Sequence, residues 1–565
     1  MEPNLWTDLV QLVVFVGLVT GLAVPLGGYL ARVFGDGPAP GDRFFLPLER
    51  TIYRVAGIDP EVRMDWRAYA AALVVTNFIM MALMYLVLRT QGYLPLNPDR
   101  IGNMPADLAY NTATSFITNT NWQSYSGETA MSTLAQMLSI IYPMFTSAAT
   151  GIVAAIAFVR AFTGVRQDLG NFFVDLVRAH TRLLLPLAFG VALLLVAEGA
   201  VQTFAGSVVA KTFDGGTQAI PRGVVAALES IKHLGTNGGG YFGANATHPF
   251  ENPSPITNLV HMLSMMLIPA ALIFAFGRMI GNPRQAWVLF IAVFFLFLTM
   301  WGVVYGSERL GVPALNQAGL VGGNMEGKEV RFGLFGSALF TTVTTAATTG
   351  SVNNMHDSLT PLGGFVPLFQ MMLNNVFGGD GAGLLNILLY VILGVFLAGL
   401  MVGRTPELFG KKIETKEIKL AAIALLTHPF IILVPTAIAL ALPGPQASIA
   451  NPGSHGVSEV LYAYTSGAAN NGSAFAGLSA NTVFYNTTIG SVMLLGRFVS
   501  IIALLGIAGS LAKKAPVAVG VGTLRTNTPL FGVVYLLIVL ILGALAFFPV
   551  LAVGPIAEHL AMLRE

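Results

Sequence analysis

The sequence predicts an all-α integral membrane protein with ten transmembrane helices, and three observations lead there. Of 565 residues, 54% are hydrophobic and only 10% are charged, with a mean hydropathy of +0.70. Soluble domains carry about a quarter charged residues, so this composition excludes cytosolic enzymes, disordered regulators and nucleic-acid binders. The apolar residues gather into ten long runs, and the basic residues are sorted unevenly between the two sides those runs define. Thirty Lys and Arg against 28 Asp and Glu leave +2, too balanced for a polyanionic partner. With no cysteine, disulfides, thiol catalysis and cysteine-metal sites are excluded.

The runs cover residues 9–30, 68–88, 134–158, 183–204, 256–276, 286–304, 366–401, 420–442, 484–508 and 530–553. Each reaches the roughly 20 apolar residues that cross a bilayer. The first is expected to stay as a helix, because Met-Glu-Pro-Asn lacks the basic start of a cleaved signal peptide and its apolar stretch is longer than one. Lys and Arg are retained on the cytoplasmic side. One set of alternate loops holds 21 of the 30, including Arg32 to Arg67, Arg160 to Arg182, Arg278, Arg284, Arg404 to Lys419 and Arg497 to Arg525. Both termini are therefore predicted outside. The seventh run is too long for one span and carries Gly378-Gly379-Asp380-Gly381-Ala382-Gly383, where it should break. Broken helices persist in membranes only where protein or a water-filled cavity satisfies the freed backbone groups. Two readings stand: a short surface turn, or a flexible loop along an ion path.

The outer linkers contain four compact runs of Thr, Asn and Gly: Thr118-Asn119-Thr120-Asn121-Trp122-Gln123, Thr236-Asn237-Gly238-Gly239-Gly240-Tyr241-Phe242, Thr348-Thr349-Gly350-Ser351-Val352-Asn353 and Asn470-Asn471-Gly472-Ser473-Ala474-Phe475. Thr120, Asn237, Thr349 and Asn471 are spaced by 117, 112 and 122 residues. Before each run lies a segment too short and too rich in Ser and Thr to span: 107–117, 223–234, 336–347 and 456–467. These read as re-entrant pore helices, in a repeating unit of outer helix, half-helix, polar turn and inner helix.

Such a composition suits a site that dehydrates a cation, because rings of backbone carbonyls replace its water. Pointing carbonyls the same way demands backbone angles that a β-carbon resists, hence glycine. Thr and Asn add oxygens without net charge. A neutral oxygen cage favours a large monovalent ion, whereas Ca²⁺ and Mg²⁺ recruit carboxylates. K⁺ is the natural candidate.

The runs 118–128, 235–240, 354–358 and 470–477, with His248-Pro249-Phe250-Glu251-Asn252-Pro253 and Gly403-Arg404-Thr405-Pro406-Glu407, resemble the KdpA family, the potassium-translocating subunits of bacterial Kdp potassium-transporting ATPases, over essentially the whole chain. The resemblance implies four fused outer-helix, pore-helix, inner-helix repeats in pseudo-fourfold arrangement, at 66–162, 180–281, 285–404 and 418–512, with extra helices at 1–34 and 526–556. It implies a K⁺ filter of Asn119, Thr120 and Asn121; Thr236, Asn237 and Gly238; Thr348, Thr349 and Gly350; and Asn470, Asn471 and Gly472. Gln123, Gly239, Gly240, Ser351 and Ser473 would flank it. It further implies a bacterial inner-membrane pump that takes up K⁺, a sideways tunnel, a P-type ATPase partner KdpB that uses ATP and Mg²⁺, and the small KdpC and KdpF subunits. Two positions depart from the pattern: Asn121 stands where the other runs have Gly, and Thr349 where some members carry Cys.

No phosphorylatable Asp-Lys-Thr-Gly motif or nucleotide domain is present, so ATP hydrolysis belongs to another chain. Gly322-Gly323-Asn324-Met325-Glu326-Gly327-Lys328-Glu329 has the spacing of a phosphate-binding loop but ends in Glu and follows no strand; it reads as chance. His356-Asp357 reads as structural hydrogen bonding rather than a metal or proton relay. Charges inside the bilayer are functional candidates. Arg497 sits below the filter or anchors a helix end, Lys232 pairs with Glu229 or Glu198, and Arg404 to Lys419 form a solvated loop against lipid or the partner. Gly378, Gly379, Asp380, Gly381, Arg404 and Arg497 are the candidates for gating or pathway. The alternatives are a stand-alone K⁺ channel or secondary carrier of the same fold, and a membrane-embedded enzyme; none of the eight His has metal-ligand spacing for the latter.

Overall fold

The computed structural model describes residues 5–164, 167–319, 322–401, 403, 406–517 and 524–564. Its helices run in the order α1 (Leu5–Val33), α2 (Asp42–Ala56), α3 (Trp66–Thr90), α4 (Ala106–Ile117), α5 (Thr133–Arg160), α6 (Phe172–Ala197), α7 (Val225–Leu234) and α8 (Pro255–Met279). There follow α9 (Pro283–Leu310), α10 (Gly333–Ala346), α11 (Pro361–Leu373), α12 (Ala382–Met401), α13 (Thr415–Ala441), α14 (Gly453–Ala468), α15 (Val483–Ala512) and α16 (Pro529–Leu551). Among the described residues ten helices are long and apolar enough to cross a membrane, and sheet is confined to two small hairpins. Helix is the element that satisfies its own backbone where no water reaches.

A short helix, α4, α7, α10 or α14, lies between successive long ones four times along the chain. The long helix after each is the more buried: 83, 78, 61 and 67% of the apolar window in α5, α8, α12 and α15 is enclosed, against 22% in α1 and in the last span. These four line the centre and the others face outward. Small residues bring them close, as membrane packing requires. On α5, Ala148, Ala149, Gly151, Ala154 and Ala155 are all buried, and a Cβ on Gly151 would stand 2.1 Å from the carbonyl oxygen of Asp380. On α1, a Cβ on Gly27 would meet Ala271 O of α8 at 2.6 Å. Asn77 of α3 donates to Leu73 O at 2.8 Å and to Thr150 Oγ1 of α5 at 3.3 Å, joining outer and inner helix by a buried polar contact.

Two boundaries differ from the hydropathy reading. The fourth span begins at Phe172 and not near 183, because Asn171 caps it, its Oδ1 accepting from Phe173 N and Val174 N; the first turns are polar, so hydropathy misses them. The seventh run is two helices, α11 and α12, parted by residues 374–381, where Asn374, Phe377, Gly378 and Gly381 have positive φ. Helix α2 and the hairpin of β1 (Val208–Lys211) and β2 (Thr217–Ile220) were not anticipated. Helix α2 is latched by Arg182 of α6, whose guanidinium contacts Glu49 and Asp42 at 2.5 Å each. Close by, Arg160 binds Asp175 and the carbonyls of Leu169 and Phe34. The basic residues at this end of the bundle are thus partly structural.

Candidate ion-binding site

The four Thr/Asn/Gly runs follow directly on the C-termini of α4, α7, α10 and α14, and all four fold alike. Each opens with a non-glycine residue in the left-handed region: Asn119 (φ 64°), Thr236 (46°), Thr348 (42°) and Asn470 (54°). In each, the next amide reaches five residues back to the pore helix: Thr120 N to Ser115 O at 3.0 Å, Asn237 N to Lys232 O at 2.7 Å, Thr349 N to Thr344 O at 2.8 Å and Asn471 N to Ser466 O at 2.9 Å. The N–H groups are therefore spent on the scaffold. Among the described residues no hydrogen bond falls on the carbonyls of Thr120, Asn237, Thr349 or Asn471, which leaves their lone pairs for a cation.

These runs meet one another in a closed ring. Asn119 Nδ2 donates to Thr236 O at 2.9 Å, joining the first run to the second. A Cβ on Gly238 would lie 2.9 Å from Thr349 O and 3.1 Å from Asn471 O; one on Gly350 would lie 2.0 Å from Asn471 O, and one on Gly472 only 1.7 Å from Thr120 O. Asn470 Nδ2 closes the ring on Thr120 Oγ1 at 2.9 Å. Glycine is required at Gly350 (φ 85°) and Gly472 (φ 98°) for both space and conformation. Asn121, where those two runs have Gly, takes the same left-handed turn (φ 60°), which asparagine tolerates. Its amide is fully buried with no hydrogen-bond partner among the described residues. In the second run the left-handed residue is Gly239 (φ 68°).

The flanking residues interlock the runs. Gln123 accepts from Gly240 N at 2.9 Å and donates to Gly240 O at 3.1 Å. Ser351 Oγ lies 2.9 Å from His233 Nε2, and Ser473 Oγ donates to Asn471 Oδ1 at 2.5 Å while lying 2.7 Å from the Tyr462 hydroxyl. His356 reaches the same hydroxyl at 2.7 Å, a structural bond.

The interruption between α11 and α12 lies directly against the start of the second and third runs. Asp380 N donates to Thr236 Oγ1 at 2.9 Å, and a Cβ on Gly379 would come 2.7 Å from Thr348 Oγ1. Gly381 is pressed on α5, its Cβ position being 1.9 Å from Gly151 O. Arg497 is no helix-end anchor: it sits in the body of α15, buried, and donates to Ser147 O at 2.8 Å, with its Nη2 and the Asp380 carbonyl both beside Gly151. From Asn470 and Arg497 a cavity of about 250 Å³ runs between α12, α13, α15 and α16 to the exposed side chains of Leu426 and Leu545. It opens at the side of the bundle, between α13 and α16. Arg404 lies outside the described residues.

Sequence reasoning missed several buried pairs. Lys232 binds Glu229 at 2.7 Å, as one reading had it, but its other partner is Glu251 at 2.9 Å; Glu198 instead accepts from Ser254 Oγ. Lys328 of the phosphate-loop lookalike is buried against Glu308 at 2.7 Å, out of reach of a nucleotide. Two clusters bring His and carboxylates within 4.8 Å, Glu229, His233 and His261, and Asp357, His455 and Glu459; each contains a Glu/His pair four residues apart, Glu229 with His233 and His455 with Glu459, which the reading of the histidine spacing passed over. Neither is built for a metal. The rings of His233 and His261 stack at 3.9 Å and 15°, both nitrogens of His233 are engaged by the Glu229 carbonyl and Ser351 Oγ, and the Lys232 ammonium already contacts Glu229. His455 bridges Asp357 at 2.8 Å and Glu558 at 2.7 Å, and these hydrogen bonds push it up to about 10, which makes it an imidazolium with no free lone pair.

Comparison with known proteins adds three findings. The family described as "KdpA: Potassium-transporting ATPase A subunit" matches residues 13–560. A protein of Geobacillus kaustophilus (strain HTA426) named "Potassium-transporting ATPase potassium-binding subunit" is 55% identical over 99% of this chain and 100% of its own length, and one of the same name from Alicyclobacillus acidocaldarius is 57% identical over 96% of each. The potassium transporter TrkH from Vibrio parahaemolyticus has a similar fold, with a TM-score of 0.51 over 88% of this chain and 96% of that one at 16% identity.

Proposed function

Because this chain belongs to the KdpA family of potassium-transporting ATPase A subunits, we propose that it is the potassium-binding and translocating subunit of an ATP-driven K⁺ uptake pump in a bacterial inner membrane. The observation that carries this reading is the ring of four runs, whose amides are bound to the pore helices and whose carbonyls and glycine Cα atoms face one another. A K⁺ ion arriving from outside would exchange its water for those oxygens, supplied by residues 119–121, 236–238, 348–350 and 470–472. With both termini outside, the four repeats at 66–162, 180–281, 285–404 and 418–512 each contribute one strand.

Below the filter, the Gly378 to Gly381 segment and Arg497 obstruct a straight descent, since a fixed guanidinium repels a cation at close range in low dielectric. The lateral cavity at Asn470 offers the way out, toward a P-type ATPase subunit, KdpB, with KdpC and KdpF completing the complex; ATP and Mg²⁺ are used there. The test is ATP hydrolysis by the complex assembled on this chain. K⁺-stimulated hydrolysis that Na⁺ does not support is expected; hydrolysis indifferent to K⁺ would contradict the assignment.

A further inference from the structure

The seams between neighbouring runs are fastened differently, and the one between the second and third carries charge. Helix α7 presents Glu229, Lys232 and His233, all fully buried behind the runs. Lys232 Nζ contacts Glu229 and Glu251 and donates to Asn245 Oδ1 at 3.1 Å. That same Asn245 oxygen lies 3.3 Å from Ser351 Oγ and accepts from Val352 N at 3.5 Å. Glu251 Oε1 accepts from Phe242 N at 2.8 Å and lies 2.8 Å from the Cβ position of Gly240. One ammonium is therefore linked to the outward end of the second run through Glu251 and to that of the third through Asn245 and the Val352 amide.

His233 completes the grip. Its Nδ1 is 2.9 Å from the Glu229 carbonyl, which only accepts, so Nδ1 carries the proton and Nε2 accepts from the Ser351 hydroxyl. Ser351 follows Gly350, where even a Cβ would stand 2.0 Å from Asn471 O. Slack at Ser351 would let the third run move toward the axis. A carbonyl cage rejects a smaller ion only as far as its walls resist closing on it, and hydrogen bonds to fixed groups supply that resistance. An ammonium buried between two carboxyl groups is costly unless all three keep their contacts, so displacing any one of them is opposed.

We propose that Lys232, His233 and Ser351 are positioning residues for cation discrimination: the buried network behind the second and third runs holds them open at the width of K⁺. The inference rests on reading the ring as a K⁺ filter, and the experiment separates the two. Full-length chain in detergent is assayed for Rb⁺ binding in competition with K⁺ and with Na⁺. The unaltered chain prefers K⁺; absence of that preference would overturn the filter reading and this inference with it. In Ser351→Ala and His233→Leu the K⁺ over Na⁺ ratio should fall about tenfold, the worth of one buried hydrogen bond, chiefly because Na⁺ binds better. Ser351→Thr and His233→Gln keep a hydroxyl and an acceptor and should restore the ratio. A purely structural role would lower both affinities together or lower only the melting temperature. Folded Ala and Leu variants with the ratio intact, or conservative variants as impaired as they are, would overturn the inference. If Ser351→Ala does not fold, the two His233 variants make the same comparison.

Discussion

Gly472→Ala tests the ring at its tightest point. The added methyl would stand 1.7 Å from Thr120 O, where contacts under 3.0 Å are essentially never seen. That carbonyl, or the strand carrying the methyl, must move by at least about 1.3 Å, the shortfall from 3.0 Å. Alanine at φ 98° is strained as well, by about 1–2 kcal/mol. Moving one oxygen that far removes it from an ion's first shell. A contact between a charge and a hydrogen-bonding group is worth about 1.5–3 kcal/mol, which converts to about a 10- to 150-fold loss of K⁺ affinity. The assay is calorimetric K⁺ titration of the purified chain, with Gly17→Ala as control, since nothing lies within 4 Å of a Cβ on Gly17. Unchanged K⁺ affinity in a folded Gly472→Ala chain would refute the convergence of Thr120 O on the ion.

Further outcomes follow from the same geometry. Gly238→Asp sets a carboxylate beside Thr349 O and Asn471 O, and should weaken K⁺ over Na⁺ discrimination because charged oxygens favour smaller ions; unaltered competition would remove Gly238 from the filter. Deleting Gly378 to Gly381 should open a passive K⁺ leak, read as flux into liposomes, and a pore that stays tight would dismiss the segment as a barrier. Arg182→Ala leaves Glu49 buried without its counter-charge, and should cost about 3–5 kcal/mol in denaturant unfolding. His455, at the start of α14, is raised to about 10 by Asp357 and Glu558, so its stabilisation is full below its ordinary value of about 6.5 and is lost as pH rises through about 10. The melting-temperature gap between the unaltered chain and His455→Ala should shrink over that range; a gap that widens with pH would contradict the imidazolium.

Much of this architecture is legible from local composition. Ten apolar runs and four Thr/Asn/Gly runs at near-equal spacing are properties of neighbouring residues, and so is the glycine cluster that parts α11 from α12. Helix α2 escaped because it is too polar for a hydropathy reading, and the hairpin at 208–220 because it is a short exposed element in a long linker. The supports of the site were hidden for a different reason. Ser351 and His233 are 118 residues apart, and Gln123 and Gly240 are 117 apart; such pairs exist only once the runs converge. Lys232 could be paired with Glu229 one turn away, but Glu251 lies beyond a loop whose path the sequence does not state. Arg497 was legible as a charge within an apolar run, and its depth became evident only when α5 and the 374–381 segment were seen against it.

Ion flux into liposomes containing only this chain, alongside K⁺ binding in the same preparation, tests the central claim most directly. Selective K⁺ binding without flux is the predicted result, that of a filter occluded until its ATPase partner draws the ion away. K⁺ flux down a gradient without ATP would make the chain a channel or carrier and contradict the account.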